Sequence, residues 1–123
     1  MNIVYVFLGG GLGSVARYMT GMLSKKLFDT NFPFGTFLSN LTSSFILGVL
    51  VGWLALRAPY QEPYRLLIAV GFCGGFSTFS AFTLESFEMI TTGNYLSAGI
   101  NIFGSFAICM IALWAGAQLV RYI

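Results

Sequence analysis

The chain has 123 residues, of which 57% are hydrophobic and only 8% are charged, and its formal net charge is +2. Soluble domains carry about 25% charged residues, so the composition excludes an ordinary water-soluble domain and predicts an integral membrane protein. A net charge this small does not favour a nucleic-acid partner. A membrane-spanning helix needs about 20 apolar residues, so the length predicts four spans in a single domain, residues 1–123.

Four apolar segments, separated by short polar or proline-containing stretches, predict an all-α fold of four transmembrane helices. The first segment is rich in glycine, and Gly9 and Gly13 have the four-residue spacing that lets two helix backbones approach closely in lipid. Lys25 and Lys26 are predicted to lie in the first loop, and the second loop runs from Arg57 to Arg65 through Pro59. The predicted spans cover residues 2–23, 34–56, 66–90 and 95–120.

The positive charges next to the predicted spans are nearly balanced between the two sides of the membrane. Orientation normally follows the bias of Lys and Arg in short loops. A chain without that bias can insert both ways, and two opposite copies can pair, whereas an unseen feature could also fix one orientation. Four spans place both ends of the chain on one side of the membrane, and that side carries Arg57, Arg65 and Arg121. The other side carries Lys25 and Lys26 with Arg17 nearby.

The third span contains the strongest concentration of glycine and hydroxyl residues, between Gly71 and Ser80. Gly74 and Gly75, followed by Ser77 and Thr78, make a poor continuous helix because each glycine costs about 1 kcal/mol relative to alanine. We therefore predict that the third helix breaks here, at membrane depth. Carbonyl groups freed at such a break are suited to a cation such as Na⁺, although a harmless kink packed against small neighbours is an equal alternative.

Phenylalanine recurs every third residue after this point, at Phe76, Phe79 and Phe82. Such a stripe usually contacts lipid or packs in the core. Here hydroxyl residues alternate with the rings, and the edge of a phenyl ring carries positive quadrupole charge. A small anion that contacted ring edges and hydroxyl donors would bind weakly enough to leave again, so the stripe also predicts an anion path.

Further polar groups lie inside predicted spans, where each must be satisfied or costs free energy. Asn40, Asn101 and Ser105 either form interhelical hydrogen bonds or line a path. Arg17 either extends its side chain to the interface or attracts anions into a vestibule. Glu85 is expected to bind an amide or an arginine, to titrate, or to gate.

Three motifs resemble those of the CrcB/Fluc fluoride channels, and the resemblance covers essentially the whole chain. The most specific is Gly71-Phe-Cys-Gly-Gly-Phe-Ser-Thr-Phe-Ser-Ala-Phe82, which is similar to the third-helix signature of that family. Gly35-Thr-Phe-Leu-Ser-Asn40 resembles the family's Gly-Thr-x-x-x-Asn motif, and Gly13-x-x-Ala-Arg17 resembles its Gly-x-x-x-Arg pattern. Ser43 and Ser39 depart from that pattern, which often has glycine and an aliphatic residue there.

The resemblance implies a passive, fluoride-selective ion channel and not an enzyme. It also implies an antiparallel, dual-topology homodimer with two pores, and a multi-pass protein in the inner (plasma) membrane of a bacterium. Its partners would be fluoride, the lipid bilayer and a second copy of the chain, with no nucleic acid. The implied cofactor is a structural Na⁺ at the dimer centre.

The resemblance also implies roles for individual residues. Fluoride would contact the ring edges of Phe79 and Phe82 and the amide of Asn40, and a hydroxyl track would continue through Ser80 and Thr83. Arg17 and Glu85 match charged positions of the family. Na⁺ would bind the backbone carbonyls of Gly74 and Ser77.

Two rival functions come from other classes. A small proton-coupled multidrug transporter, also a dual-topology dimer, needs a titratable carboxylate deep in the membrane. That carboxylate is usually in the first helix, which has no acidic residue here, so Glu85 would have to serve. The second rival is a non-transporting assembly subunit, which would require the break in the third helix to be merely structural.

Overall fold

The computed structural model describes residues 1–57 and 61–123, and the regular elements in those ranges are all helical. The first two helices are single and uninterrupted, the third predicted span is divided into α3 and α4, and the last helix is continuous. The helices are α1 (Asn2–Leu27), α2 (Phe34–Arg57), α3 (62–76), α4 (Phe79–Thr91) and α5 (Tyr95–Tyr122).

The predicted break in the third span is confirmed, two residues after the glycines. Gly74 and Gly75 are helical, whereas Ser77 and Thr78 have extended backbone, with ψ of 156° and 118°. Most of α3, Arg65–Cys73, is π-helical, as is Ile100–Gly104 within α5. Such wider turns are uncommon in proteins and frequently occur near functional sites.

Two loop predictions differ from the structure. Lys25 and Lys26 lie in the last turn of α1 and not in the first loop, so that prediction is wrong. Lysine is favourable in a last turn because the carbonyl end of a helix is partly negative. The third span begins at Glu62 instead of residue 66, with Pro63 in the first turn, where its missing N–H costs nothing. Pro59 lies outside the described residues.

The close helix contact predicted for Gly9 and Gly13 is formed with α3. A Cβ added to Gly9 would collide with the carbonyl oxygen of Leu67, and one added to Gly13 would collide with that of Phe72. From the opposite side, a Cβ on Gly75 would collide with the carbonyl oxygen of Gly10. The backbones of α1 and α3 therefore touch along a seam in which only glycine fits.

A second seam joins α2 to α5. A Cβ on Gly48 would collide with the carbonyl oxygen of Leu113, and one on Gly116 with that of Phe45. Small residues at a helix interface allow this approach where lipid provides no hydrophobic drive for association. The fold therefore consists of two tightly packed helix pairs, with α4 continuing beyond the first.

Much of the apolar surface of the chain is exposed. In α5, Phe103, Phe106 and Trp114 are each more than half exposed, at 76%, 68% and 63%. Three helices, Phe34–Arg57, Glu62–Thr91 and Tyr95–Tyr122, are long and apolar enough to cross a membrane. An exterior of this kind is suited to contact with lipid or with a second apolar surface.

Candidate functional site

The break between α3 and α4 is bound by a side chain of α2. The Thr78 amide donates to Asn40 Oδ1 over 2.7 Å, and Asn40 Nδ2 donates to the Thr78 carbonyl oxygen over 3.2 Å. One carboxamide therefore satisfies both backbone groups of the residue that leaves the helix. An Asn amide has two N–H donors, so one N–H of Asn40 is left for another acceptor.

On the other side of the break, the carbonyl oxygen of Cys73 accepts three hydrogen bonds. Ser77 provides two of them, from its amide over 2.9 Å and its hydroxyl over 2.6 Å. The third comes from the hydroxyl of Ser43 on α2, over 3.0 Å. The end of α3 is thus tied both to its own next residue and to α2.

A cavity of about 270 Å³ opens beside the break, and we call it the break cavity. It brings together Asn40, Phe79 and Phe82 with Ser105 of α5, whereas Ser80 and Thr83 are not among its lining residues. The rings of Phe79 and Phe82 lie 6.0 Å apart, centroid to centroid, at an interplanar angle of 38°. Among the described residues, the lining consists of Asn40, Ser44, Ser77, Thr78, Phe79, Phe82, Ser105, Phe106 and Cys109.

The second half-helix begins at this cavity. Thr78 caps α4, because its hydroxyl oxygen accepts the Ala81 amide over 3.2 Å. The amino end of a helix carries a partial positive charge. Phe79, the first residue of α4, is 80% exposed, so its ring is accessible from outside the chain at the end of α4 that favours an anion.

The two hydroxyls predicted to continue the track are exposed and make local contacts. Thr83 Oγ1 donates to the carbonyl oxygen of Phe79 over 2.8 Å, and Ser80 Oγ lies 3.3 Å from Thr78 Oγ1. These hydroxyl groups lie on the outer surface of α4 in a single chain.

Asn101 and Ser105 belong to a buried hydrogen-bonded chain between α4 and α5. Ser105 Oγ donates to Asn101 Oδ1 over 3.2 Å, and Asn101 Nδ2 donates to Ser86 Oγ over 2.9 Å. Ser86 Oγ in turn donates to the Phe82 carbonyl over 2.8 Å. Asn101 is 1% exposed, and the interhelical hydrogen bond predicted for it is present. Of the two residues, only Ser105 lines the break cavity.

Glu85 lines a second, larger cavity of about 730 Å³ near the connection between α1 and α2, which we call the end cavity. Thr36 Oγ1 donates to Glu85 Oε1 over 2.7 Å, while Oε2 is buried with no hydrogen-bond partner among the described residues. Lys25 and Glu88 also line this cavity. Arg17 is half-buried in α1 and lines neither cavity.

The carbonyl groups at the end of α3 lose their helical partners at the break. The Thr78 amide would ordinarily bond to the Gly74 carbonyl in a continuous helix, but it donates to Asn40 instead. Gly74 is exposed, and a Cβ added there would meet no atom within 4 Å. The surface at the end of α3 is therefore open and rich in backbone oxygen.

Comparison with known proteins identifies the family. Residues 4–117 match the model of the CrcB-like protein, Camphor Resistance (CrcB), family. The chain belongs to the CrcB family. The resemblance inferred from the three sequence motifs is thereby confirmed.

Three bacterial CrcB relatives align along nearly their whole length. The Fluoride-specific ion channel FluC 2 of Nitrobacter hamburgensis is 40% identical over 123 residues, covering 100% of this chain and 99% of the relative. The Fluoride-specific ion channel FluC of a Caulobacter species is 44% identical, covering 99% and 96%. That of Coxiella burnetii is 38% identical, covering 98% of each. These names are those of ion channels and not of enzymes.

Some residues of the candidate site were not predicted from the sequence. Cys109 lies four residues after Ser105, on the same face of α5, so helical spacing from Ser105 was a usable signal. Ser86 gave no such signal, and the Gly-Thr-x-x-x-Asn motif that contains Thr36 did not predict the partner of its hydroxyl. Each forms its hydrogen bond with a residue on another helix, Glu85 or Asn101, and only tertiary structure creates those pairs.

Proposed function

We propose that this protein is a fluoride-selective channel that lets cytoplasmic fluoride leave the cell passively, and that it is not an enzyme. Two pores would form per antiparallel, dual-topology homodimer in the plasma membrane. The observation that carries the proposal is the break cavity, in which two phenylalanine rings and one amide surround the amino end of a half-helix. The names of the full-length relatives support fluoride as the ion.

The lining of the break cavity is suited to a small anion. Ring edges offer weak positive charge, and Phe79 and Phe82 both contribute to the wall. The remaining N–H of Asn40 is a donor able to replace water around the ion, whereas the Ser105 hydroxyl already donates to Asn101. No Lys or Arg of the described residues lines this cavity, so the anion would meet donors without a fixed charge that would trap it.

The end cavity supports a role as the wider approach to the pore. Lys25 and Glu85 place both signs of charge on its wall, so we assign to Glu85 a place on the approach. In this proposal Arg17 attracts anions from the first helix, and Ser80 and Thr83 continue the path where a second copy covers their exposed side.

A central Na⁺ fits the donor set at the end of α3. The described residues include no group of three or more His, Cys, Asp or Glu suited to a metal, so a cation here would need backbone oxygen. The carbonyls of Gly74 and Ser77 would hold it, since carbonyls at unwound helix ends bind Na⁺ in membrane proteins. A bound Na⁺ would supply positive charge that links the two copies of the break.

The exposed surface around the break supports the homodimer. Phe79 is 80% exposed and Gly74 has open space above it, although both lie at the break, where the proposed fluoride path and Na⁺ site meet. A second copy, inserted in the opposite direction, would cover this surface. The near balance of positive charge on the two sides of the chain supports insertion in both orientations.

The proposed topology has four spans, which places both ends of the chain on one side of the membrane, and α1 would be the fourth span. Its 26 residues extend roughly 39 Å at a rise of about 1.5 Å per residue, which exceeds the hydrocarbon thickness. α1 is not one of the three helices that composition alone marks as apolar enough to cross, but its glycines permit its contact with α3.

Fluoride efflux from liposomes that contain the purified protein tests the proposal, with chloride as the control ion. We expect rapid efflux of fluoride but not of chloride, lost in Phe79→Ile and in Phe82→Ile. The exposed ring of Phe79 can be replaced without a large cost in stability, so loss of transport in a folded variant would assign the ring to the path. If neither ion leaves liposomes that contain the parent protein, the proposal that it is a channel is overturned.

Nothing in the comparisons favours the proton-coupled multidrug transporter with Glu85 as its carboxylate. The same liposomes distinguish it. A transporter of that kind would use a pH gradient to drive uptake of an organic cation and would lose this activity in Glu85→Gln. The channel would move fluoride with no proton gradient.

A further inference from the structure

We infer that Ser43 is a positioning residue, whose hydroxyl holds the end of α3 against α2 and so fixes the backbone of the break. The inference deepens the proposed function, because the fluoride path and the Na⁺ carbonyls both lie at this break. It depends on the hydrogen bond between Ser43 and Cys73, two residues separated by 30 positions in the chain.

The Ser43 hydroxyl is buried between α2 and the end of α3. Its side chain is buried, at 3% exposure, and its 3.0 Å hydrogen bond is also buried. Asn40 lies three residues earlier, on the same side of α2. The two side chains bind opposite sides of the break, Ser43 at Cys73 and Asn40 at Thr78, so α2 holds the break at two points.

Removal of the hydroxyl should move the break without unfolding the chain. The Cys73 carbonyl has two lone pairs and would still accept the amide and hydroxyl of Ser77. No buried acceptor is then left without a donor, which is the costly outcome. What is lost is the attachment of Cys73 to α2, and Gly74 to Ser77 become free to shift as one segment.

Loss of the Ser43 hydroxyl should affect the backbone carbonyls proposed to bind Na⁺ more than the phenylalanine rings proposed to contact fluoride. Gly74 and Ser77, the proposed Na⁺ ligands, lie between the two attachment points, whereas Phe79 follows Thr78 and remains held through Asn40. Loss of the Ser43 hydroxyl should therefore weaken Na⁺ binding more than it slows fluoride at saturating Na⁺.

The test compares Ser43→Ala with Thr42→Ala, a matched control on the adjacent, exposed position of α2. Hydrogen–deuterium exchange of the reconstituted protein measures the break directly, over residues 74–77. We expect exchange there to become about fivefold faster in Ser43→Ala, the change that corresponds to one typical hydrogen bond, and to be unaltered in Thr42→Ala. Unchanged exchange in Ser43→Ala would overturn the inference.

Fluoride efflux at increasing Na⁺ concentration provides the second readout. We expect Ser43→Ala to need about fivefold more Na⁺ for half-maximal efflux, with the maximal rate retained. A lower maximal rate with an unshifted Na⁺ midpoint would show a general packing role and would overturn the inference. If the parent protein carries no fluoride, the proposed function fails, while the exchange measurement still decides the role of Ser43.

Discussion

The glycine seams and the break in the third helix differ in their effect on the helix. The helices continue through the glycine-rich seams, but the third helix ends at two residues that are not glycine. Along α1 and α3, glycine is frequent, yet the helices continue, and Gly9, Gly13 and Gly75 lie where another backbone approaches. At Ser77 and Thr78 there is no glycine, yet the helix ends, because the Asn40 side chain replaces the helical partners of Thr78. The seam glycines therefore lie at contacts between helices. The third helix is interrupted where the carboxamide of a neighbouring helix binds its backbone.

The largest effect is expected from Asn40→Leu, which removes the side chain that binds the break. The amide and carbonyl of Thr78 would both lose their partner, and each unsatisfied buried group costs about 1–3 kcal/mol. We expect a loss of roughly 2–6 kcal/mol in unfolding free energy, measured by denaturant titration in detergent micelles, together with loss of fluoride efflux. An unchanged stability would mean that the helix ends at Ser77 for a reason local to its own sequence.

A smaller effect is expected from Gly48→Ala in the seam between α2 and α5. The new methyl group would meet the Leu113 carbonyl, and forced overpacking costs about 1–3 kcal/mol. Gly11→Ala is the matched control, because a Cβ there would meet nothing within 4 Å. The control should gain about 0.5–1 kcal/mol from helix propensity. Equal melting temperatures for the two variants would contradict the distinction between seam and open glycine.

Asn101→Leu examines a polar contact that lies away from the break. Its carboxamide joins Ser86 to Ser105, but both serines can form other hydrogen bonds within their own helices. We therefore expect a loss of only about 1 kcal/mol in unfolding free energy. Fluoride efflux should fall less than in Asn40→Leu, measured in the same liposomes. A larger loss than that of Asn40→Leu would shift the critical polar contact from the break to the α4–α5 pair.

The smallest change in stability is expected for Thr83→Val. Its hydroxyl is exposed and bonds only to the Phe79 carbonyl one turn earlier, so unfolding free energy should change by less than about 0.5 kcal/mol. Fluoride efflux should nevertheless fall if the hydroxyl track includes this residue, though less than in Phe82→Ile. Unaltered efflux would remove Thr83 from the proposed path.

The sequence predicted the break to within a few residues, because glycine and hydroxyl residues concentrate between Gly71 and Ser80. It attributed the break to Gly74 and Gly75, and the structure keeps both helical. The reason is that helix propensity is a weak preference that tertiary contacts override. Gly75 contacts α1, and the chain leaves the helix only where Asn40 accepts the next amide.

Composition and motifs by themselves determined that this is an all-helical protein with membrane-spanning segments and a member of the CrcB family, because hydropathy and short signatures are properties of neighbouring residues. Tertiary structure decided which helices pair, where the break lies, and that Glu85 meets Thr36 while Arg17 reaches neither cavity. Those outcomes depend on hydrogen bonds and close contacts between residues 30 or more positions apart, such as Ser43 with Cys73, which no local pattern encodes.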